Sequence, residues 1–234
     1  MGTVAECNNK AKALCAGGYR YLYGAKGQLY TKQLVESLAK QYKSKYTAAI
    51  KKEALKDADK GFRAGDCSYF VCTVLGLSMI NSLAIKQKAV ELLKPDKKNA
   101  KEGMALWKSG HIAYIGEGLK IYEFKSTAAD ACVSTFESRA KDFTYMFVVK
   151  GTALDQELQA KNVDQVIEKK MYYPKYTGKS NSIVDALATV GEKDISFNHR
   201  RKIAQKNGYQ NYEGSIKQNN QLLALIKAGK LIRA

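Results

Sequence analysis

Long apolar runs are missing from this 234-residue chain. None approaches the roughly 18 residues that a membrane-spanning helix needs, so membrane insertion is not expected. The opening stretch MGTVAECNNKAKALCAGGY has no apolar core behind a basic start, so no signal peptide is visible there. Histidine is scarce: His111 and His199 are the two, and neither lies near a cysteine in sequence. There is also no C-x-x-C pair, so a zinc site is not expected, nor any other metal or cofactor. The five cysteines (Cys7, Cys15, Cys67, Cys72, Cys132) are odd in number and irregularly spaced, which argues against a disulfide framework. Acidic residues are in deficit, with 22 Asp and Glu against 39 Lys and Arg, a net charge of +17.

That charge speaks of partners rather than of fold. It favours polyanions: nucleic acid, anionic lipid, or the anionic polymers of a Gram-positive wall. Lys outnumbers Arg heavily, whereas readers of base edges rely on Arg. Zinc-finger spacing and RNA-binding aromatic signatures are absent, so specific nucleic-acid binding is not expected. Oligomeric state is not legible.

Periodicity divides the chain. TKQLVESLAKQY places Leu34, Val35, Leu38 and Tyr42 on one helical stripe, and TAAIKKEALKDADKGF reads as a second, more polar helix. Cys67, Phe70, Val71, Val74 and Leu75 form a third stripe that Gly76 breaks. SLAIKQKAVELLKP reads as a helix ending before Pro95. The period then changes. HIAYIG and KIYEF read as a β-hairpin, and FTYMFVVKG as another strand. Residues 171–234 hold 11 Lys and Arg against 4 Asp and Glu, a net +7, and suggest three helices at 181–190, 196–207 and 215–228, with Ser196 and Ser215 as N-caps. The expected organisation is an α+β domain at 1–152, a helical or linker-like stretch at 153–170, and a small all-α domain at 171–234.

The chemistry centres on RAGDCSYFVCTVLG at 63–76. Cys67 opens a helix, where free N–H groups and the helix dipole favour a thiolate. A nucleophilic thiol needs a base. His111 begins a strand, whereas His199 lies in the basic tail and reads as a surface residue. If the hairpin turns on Glu117, His111 faces Glu123 directly across the ladder, on the same face. Glu123 is then the group that orients the imidazole. The other four cysteines read as core or incidental thiols.

Three blocks taken together, YLYGAKGQ, DCSYFVCTVLG and GHIAYIGEGLKIYE, resemble the NlpC-type cysteine peptidases that cut bacterial peptidoglycan. The resemblance covers roughly residues 15–150. It implies a papain-like domain, with helices packed on a small antiparallel sheet. It also implies Cys67 as nucleophile, His111 as base and Glu123, 12 positions later, as the third member. Tyr21 is then a hydroxyl donor near the oxyanion or substrate. Asp66 and Ser68, which otherwise read as helix caps, contact a free stem-peptide amine in some relatives. The chain departs from the family pattern in three places. Tyr69 stands where Gly is usual and is expected to narrow the cleft. Glu123 stands where His, Asn, Asp or Gln is more frequent. About 35 residues separate the first block from Cys67.

The tail, YTGKSNSIVDALATVG through LLALIKAGKLI, resembles a module on clostridial phage endolysins that is presumed to bind the cell wall. The resemblance therefore implies a peptidoglycan hydrolase acting on the wall, with peptidoglycan and anionic wall polymers as partners. It also implies release from the cytoplasm through a phage-type membrane pore, a signal already removed being the other route. An amidase cutting the muramyl–L-Ala bond with the same residues is one alternative. A non-catalytic wall- or polyanion-binding protein is another.

Overall fold

Thr3 and Glu6 form a capping box, and they start a helix that apolar periodicity does not announce. The Thr3 hydroxyl accepts from the Glu6 N–H at 3.2 Å, and the Glu6 carboxylate accepts from the Thr3 N–H at 2.9 Å. The helix, α1, runs Val4–Cys15 and buries Cys7, Ala11 and Leu14. A computed structural model describes residues 2–234. The chain divides into two units, one ending at Leu158 and the other Gln159–Ala234.

In the first unit, strands β1 (Tyr19–Tyr21), β2 (Lys26–Leu29) and β3 (Arg63–Gly65) form a small sheet in the order β1-β3-β2. β1 pairs parallel to β3, and β2 antiparallel. Helices α2 (Lys32–Gln41) and α3 (Ala48–Asp57) are the two helices expected between the first block and Cys67. They cover a core of Leu22, Tyr30, Val35, Leu38 and Ala64. β3 runs directly into Asp66, which caps α4 (Cys67–Leu75), and a left-handed Gly76 (φ 68°) ends that helix.

The main sheet is antiparallel throughout, in the order β7-β6-β5-β4-β8. Its strands are β4 (Ala105–Lys108), β5 (His111–Ile115), β6 (Ile121–Phe124), β7 (Ala131–Ser134) and β8 (Tyr145–Phe147). One face carries Ile112, Tyr114, Tyr122, Phe124 and Phe147 and packs with α1 and α4. The other carries Leu106, Ala113, Ile115, Ile121 and Met146 and packs with Phe136 and Ala140, at either end of the short helix α6 (Phe136–Arg139), and with Phe143. The architecture is α+β, with helices on small sheets that are mainly antiparallel.

Two expectations need correction. The helix expected over 82–94 stops at once: α5 is Ser82–Lys86, and the chain beyond runs alongside the sheet edge. Ala89 bridges Val149, Leu93 bridges Met146, and the Val90 N–H bonds the Val148 carbonyl at 2.9 Å. Pairing with an open strand outweighs local helical periodicity there. The hairpin register also differs. Tyr114 pairs with Tyr122 and Ile115 with Ile121, so the turn centres on Gly118 rather than Glu117. Gly118 takes a left-handed φ of 65°, which glycine adopts at little cost. Continued by one residue, this register sets Glu123 opposite Ala113, diagonal to His111. The shift is two residues, so both side chains stay on one face.

The stretch expected as helical or linker-like is a single helix, α7 (Ala153–Met171), whose first turn is buried. The second unit has helices α8 (Ile183–Thr189), α9 (Phe197–Lys206) and α10 (Ile216–Lys227). Ser196 and Ser215 cap α9 and α10, as the sequence suggests. Their common core is Leu187, Ile203, Tyr212, Leu222, Leu223 and Ile226. Tyr212 is buried, and its hydroxyl donates to Asn219 Oδ1 at 2.5 Å, which makes it a core residue. His199 is half-buried beside Glu192 and Asp194.

Candidate active site

Cys67 is the first residue of α4 and is 6% exposed. Its sulfur lies against two backbone N–H groups, those of Ile112 and Ser68. The Ile112 contact brings the helix start to the end of β5, one residue from His111. Burial pushes the thiol up to about 12, and the Asp66 carboxylate adds to this. The two N–H groups and Lys26 pull the other way, without prevailing. Cys67 is therefore a protonated thiol at neutral pH, not a standing thiolate. Among the described residues no hydrogen bond joins the sulfur to the His111 ring. Catalytic contacts of this kind commonly tighten only when substrate binds.

His111 and Glu123 do meet. The Nε2–H of His111 donates to Glu123 Oε2 at 2.5 Å. That bond assigns the proton to Nε2 and leaves Nδ1 as the ring's basic nitrogen. The ring also stacks on Phe143, with centroids 5.8 Å apart.

Glu123 is fully buried and carries a second partner that no sequence pattern announced. Arg139, at the end of α6, grips it with two parallel bonds, Nε to Oε1 at 2.5 Å and Nη2 to Oε2 at 2.8 Å. Its remaining Nη1 bonds Asp142. Burial alone would raise the Glu123 carboxyl. The Arg139 and His111 bonds outweigh it and hold the group at about 2. Arg139 is raised above its ordinary value, chiefly through Glu123. The result is a buried file, Arg139–Glu123–His111, with the imidazole at its end.

Tyr21 is half-buried at the end of β1, and its N–H donates to Asp130 Oδ1 at 2.9 Å. Its phenol is raised well above the ordinary value, by burial first and then by the nearby Cys67 and Asp66. It therefore remains an O–H donor. It also lines an open groove of about 410 Å³, with Tyr23, Lys45, Ile50, Glu53 and Ser126.

Asp66 and Ser68 are both buried, but only Asp66 caps α4: it accepts from the Tyr69 N–H at 2.8 Å, while Ser68, inside the first turn, donates its hydroxyl to Asp66 at 2.7 Å. They also hold the ammonium of Lys26 from β2, a contact that the sequence did not suggest. Tyr69, which stands where the NlpC-type pattern has Gly, is turned against the small sheet. A Cβ at Gly27 or Gly65 would fall within 2.6 or 2.4 Å of it, so these two glycines make its place. All five cysteines are free, and Cys7 and Cys72 are plain core residues. No metal-ligand cluster occurs among the described residues, and no helix there is long and apolar enough to cross a membrane.

The second unit has a cavity of about 850 Å³ lined by Glu168, Tyr172, Tyr173, Pro174, Lys230 and Ile232. In comparisons with known proteins, no family model matches this chain and no curated protein matches it.

Proposed function

We propose that the chain is a papain-like cysteine peptidase that hydrolyses peptide bonds in the stem peptides of bacterial peptidoglycan, with residues 159–234 serving to hold it on the wall. One observation carries the chemistry: a helix-start cysteine lies beside the strand whose His111 is bonded to a buried, ionised Glu123. The substrate class rests on the three sequence blocks and on the +17 charge, which suits an anionic wall.

Burial holds the thiol well above its ordinary value, so little of it is ionised at pH 7. Attack by a preformed thiolate is therefore a minor route, and His111 must act as base during the attack. Nδ1 takes the thiol proton as the sulfur bonds to the scissile carbonyl carbon. The carbonyl oxygen becomes an oxyanion, for which the Tyr21 O–H and backbone N–H groups at the α4 start are the candidate donors. His111 is now an imidazolium, and the ionised Glu123 stabilises it. It gives its proton to the departing amine as the C–N bond breaks, which leaves a thioester on Cys67. Water then attacks the thioester, His111 takes its proton and returns one to sulfur, and the acid product leaves. The cycle consumes one water and regenerates the thiol.

The test is digestion of purified Gram-positive sacculi, with products read by mass spectrometry. New amino and carboxyl termini within the stem are expected from the native chain and none from Cys67→Ala, with an unchanged circular dichroism spectrum. Digestion by Cys67→Ala at near the native rate would end the mechanism. Release of intact stems from muramic acid would reassign the bond and make the protein an amidase.

A further inference from the structure

Asp66 and Ser68 flank the candidate nucleophile, and the position they create is already taken. Lys26 Nζ lies 3.0 and 2.8 Å from the two Asp66 oxygens and 2.8 Å from Ser68 Oγ. Oδ1 also accepts from the Tyr69 N–H and the Ser68 hydroxyl. Each oxygen of the pair thus has a donor, and the Ser68 hydroxyl has spent its proton on Asp66. The Asp66 side chain is 10% exposed and that of Lys26 35%, so the ammonium covers the carboxylate from the solvent side. A second cation arriving here meets a like charge and must displace Lys26 to find an acceptor.

We propose that Lys26 is a specificity-determining residue: its ammonium fills the position that a substrate's free amino terminus would take at Asp66 and Ser68, so the enzyme acts on peptides whose amine near the bond cut is acylated. A stem peptide still joined to its sugar strand has its first amine acylated. A fragment already released from the strand does not. The inference makes this chain a hydrolase of intact wall rather than of wall debris. It rests on the peptidase reading both for the reaction and for taking Asp66 and Ser68 as the amine position, while the Lys26 contacts carry the statement that this position is filled.

The experiment has a binding arm and a hydrolysis arm. L-alanine amide and its N-acetyl derivative are titrated into the full native chain and into Lys26→Met, and the backbone amide shifts of Ser68 and Tyr69 are followed by NMR. Lys26→Met keeps an apolar stem and removes the charge. It should bind the free amine at least tenfold more tightly than the native chain does, and the acetylated probe no better. Lys26→Met/Asp66→Asn, which removes the carboxylate as well, should lose that gain.

In the second arm, a synthetic stem tripeptide with a free N-terminal amine is compared with the same peptide N-acetylated. The native chain, which needs no variant to fold, should favour the acetylated peptide at least tenfold in kcat/KM, and Lys26→Met should move that ratio at least tenfold toward the free amine. Equal hydrolysis of both peptides by the native chain, or free-amine binding by the native chain as tight as by Lys26→Met, overturns the proposal. If no form cleaves either peptide, the peptidase reading falls, while amine binding gained by Lys26→Met still upholds the assignment of Lys26.

Discussion

Replacing Arg139 by Met removes the guanidinium that holds Glu123. The carboxyl is fully buried, yet it sits at about 2 rather than at its ordinary 4.5. Burial is the largest influence and acts upward, so Arg139 and His111 together more than offset it. At about 1.4 kcal/mol for each tenfold change in proton affinity, the net effect is about 3 kcal/mol. The sign follows from the direction. A carboxyl depressed in the fold contributes stability that is fully present above its ordinary value, and this is lost as pH falls from about 4.5 through about 2. In Arg139→Met the burial effect regains ground, the carboxyl rises, and the loss begins at higher pH.

Breaking a buried ion pair from one side costs about 3–5 kcal/mol, against a total stability of about 5–15 kcal/mol for a domain. Arg139→Met should therefore fold but melt early. Glu123→Gln leaves Arg139 with Asp142 as its partner and should also destabilise. The double variant leaves no charge at either position, and a Gln oxygen still accepts from the ring N–H. It should be more stable than the two single effects summed, by about 1–3 kcal/mol. On the peptidase reading, Arg139→Met should also lower kcat by about tenfold to a hundredfold at pH 7, or about 1.4–2.7 kcal/mol of barrier, with KM little changed. The acid limb of its pH–rate profile should move upward. Urea unfolding of all four proteins between pH 3 and 7 measures the first set of effects, and stopped assays across pH measure the second. An additive cycle, with Arg139→Met within about 0.5 kcal/mol of the native chain at every pH, would refute the grip of Arg139 on Glu123.

Tyr21→Phe keeps the ring and removes the O–H, so kcat should fall about tenfold or more with little change in stability. An unchanged kcat takes Tyr21 out of oxyanion stabilisation. The second unit, expressed as residues 159–234, should co-sediment with purified sacculi at low salt and less so at high salt, because screening weakens attraction between its lysines and an anionic wall. Failure to sediment at low salt ends the wall-holding role.

Cys67 was legible because the local signals agree: an Asp cap before it, an apolar helical stripe after it and a Gly stop at 76. The His111–Glu123 pair was legible for a more forgiving reason. Side chains alternate with a period of two, so a turn centred one residue away, which shifts the pairing by two, still kept both on one face. β4 escaped notice because Ala105–Lys108 lies inside the sheet, with both neighbours paired, and shows no alternation between apolar and polar. β7 escaped because it is a short edge strand of small residues. The 87–94 stretch misled because its pairing partner lies 53 to 60 residues on, beyond the reach of any local period.

Arg139 and Lys26 were illegible for a common reason, and that reason bears on how the site works. Each is a cation matched to a buried carboxylate far away in sequence, by 16 residues in one case and 40 in the other. Such pairs leave no spacing rule, because the fold and not the helix or strand period brings them together. Both carboxylates lie close to the candidate chemistry, Asp66 beside the thiol and Glu123 behind the imidazole. Unmatched, Glu123 would tend to take up a proton in its buried place. A protonated Glu123 would no longer stabilise an imidazolium, and a bare Asp66 would both discourage thiolate formation and draw in foreign cations. Matching each carboxylate with a cation of suitable shape prevents this. The planar guanidinium of Arg139 binds both oxygens of Glu123 and fixes its plane toward His111, which a lysine cannot do. The compact ammonium of Lys26 instead reaches two oxygens of Asp66 and the hydroxyl of Ser68 at once, as an amino terminus would. Exchanging the two cation types at these positions is therefore not a conservative change. Arg139→Lys loses the orientation of Glu123, and Lys26→Arg asks a larger planar group to fit beside Cys67.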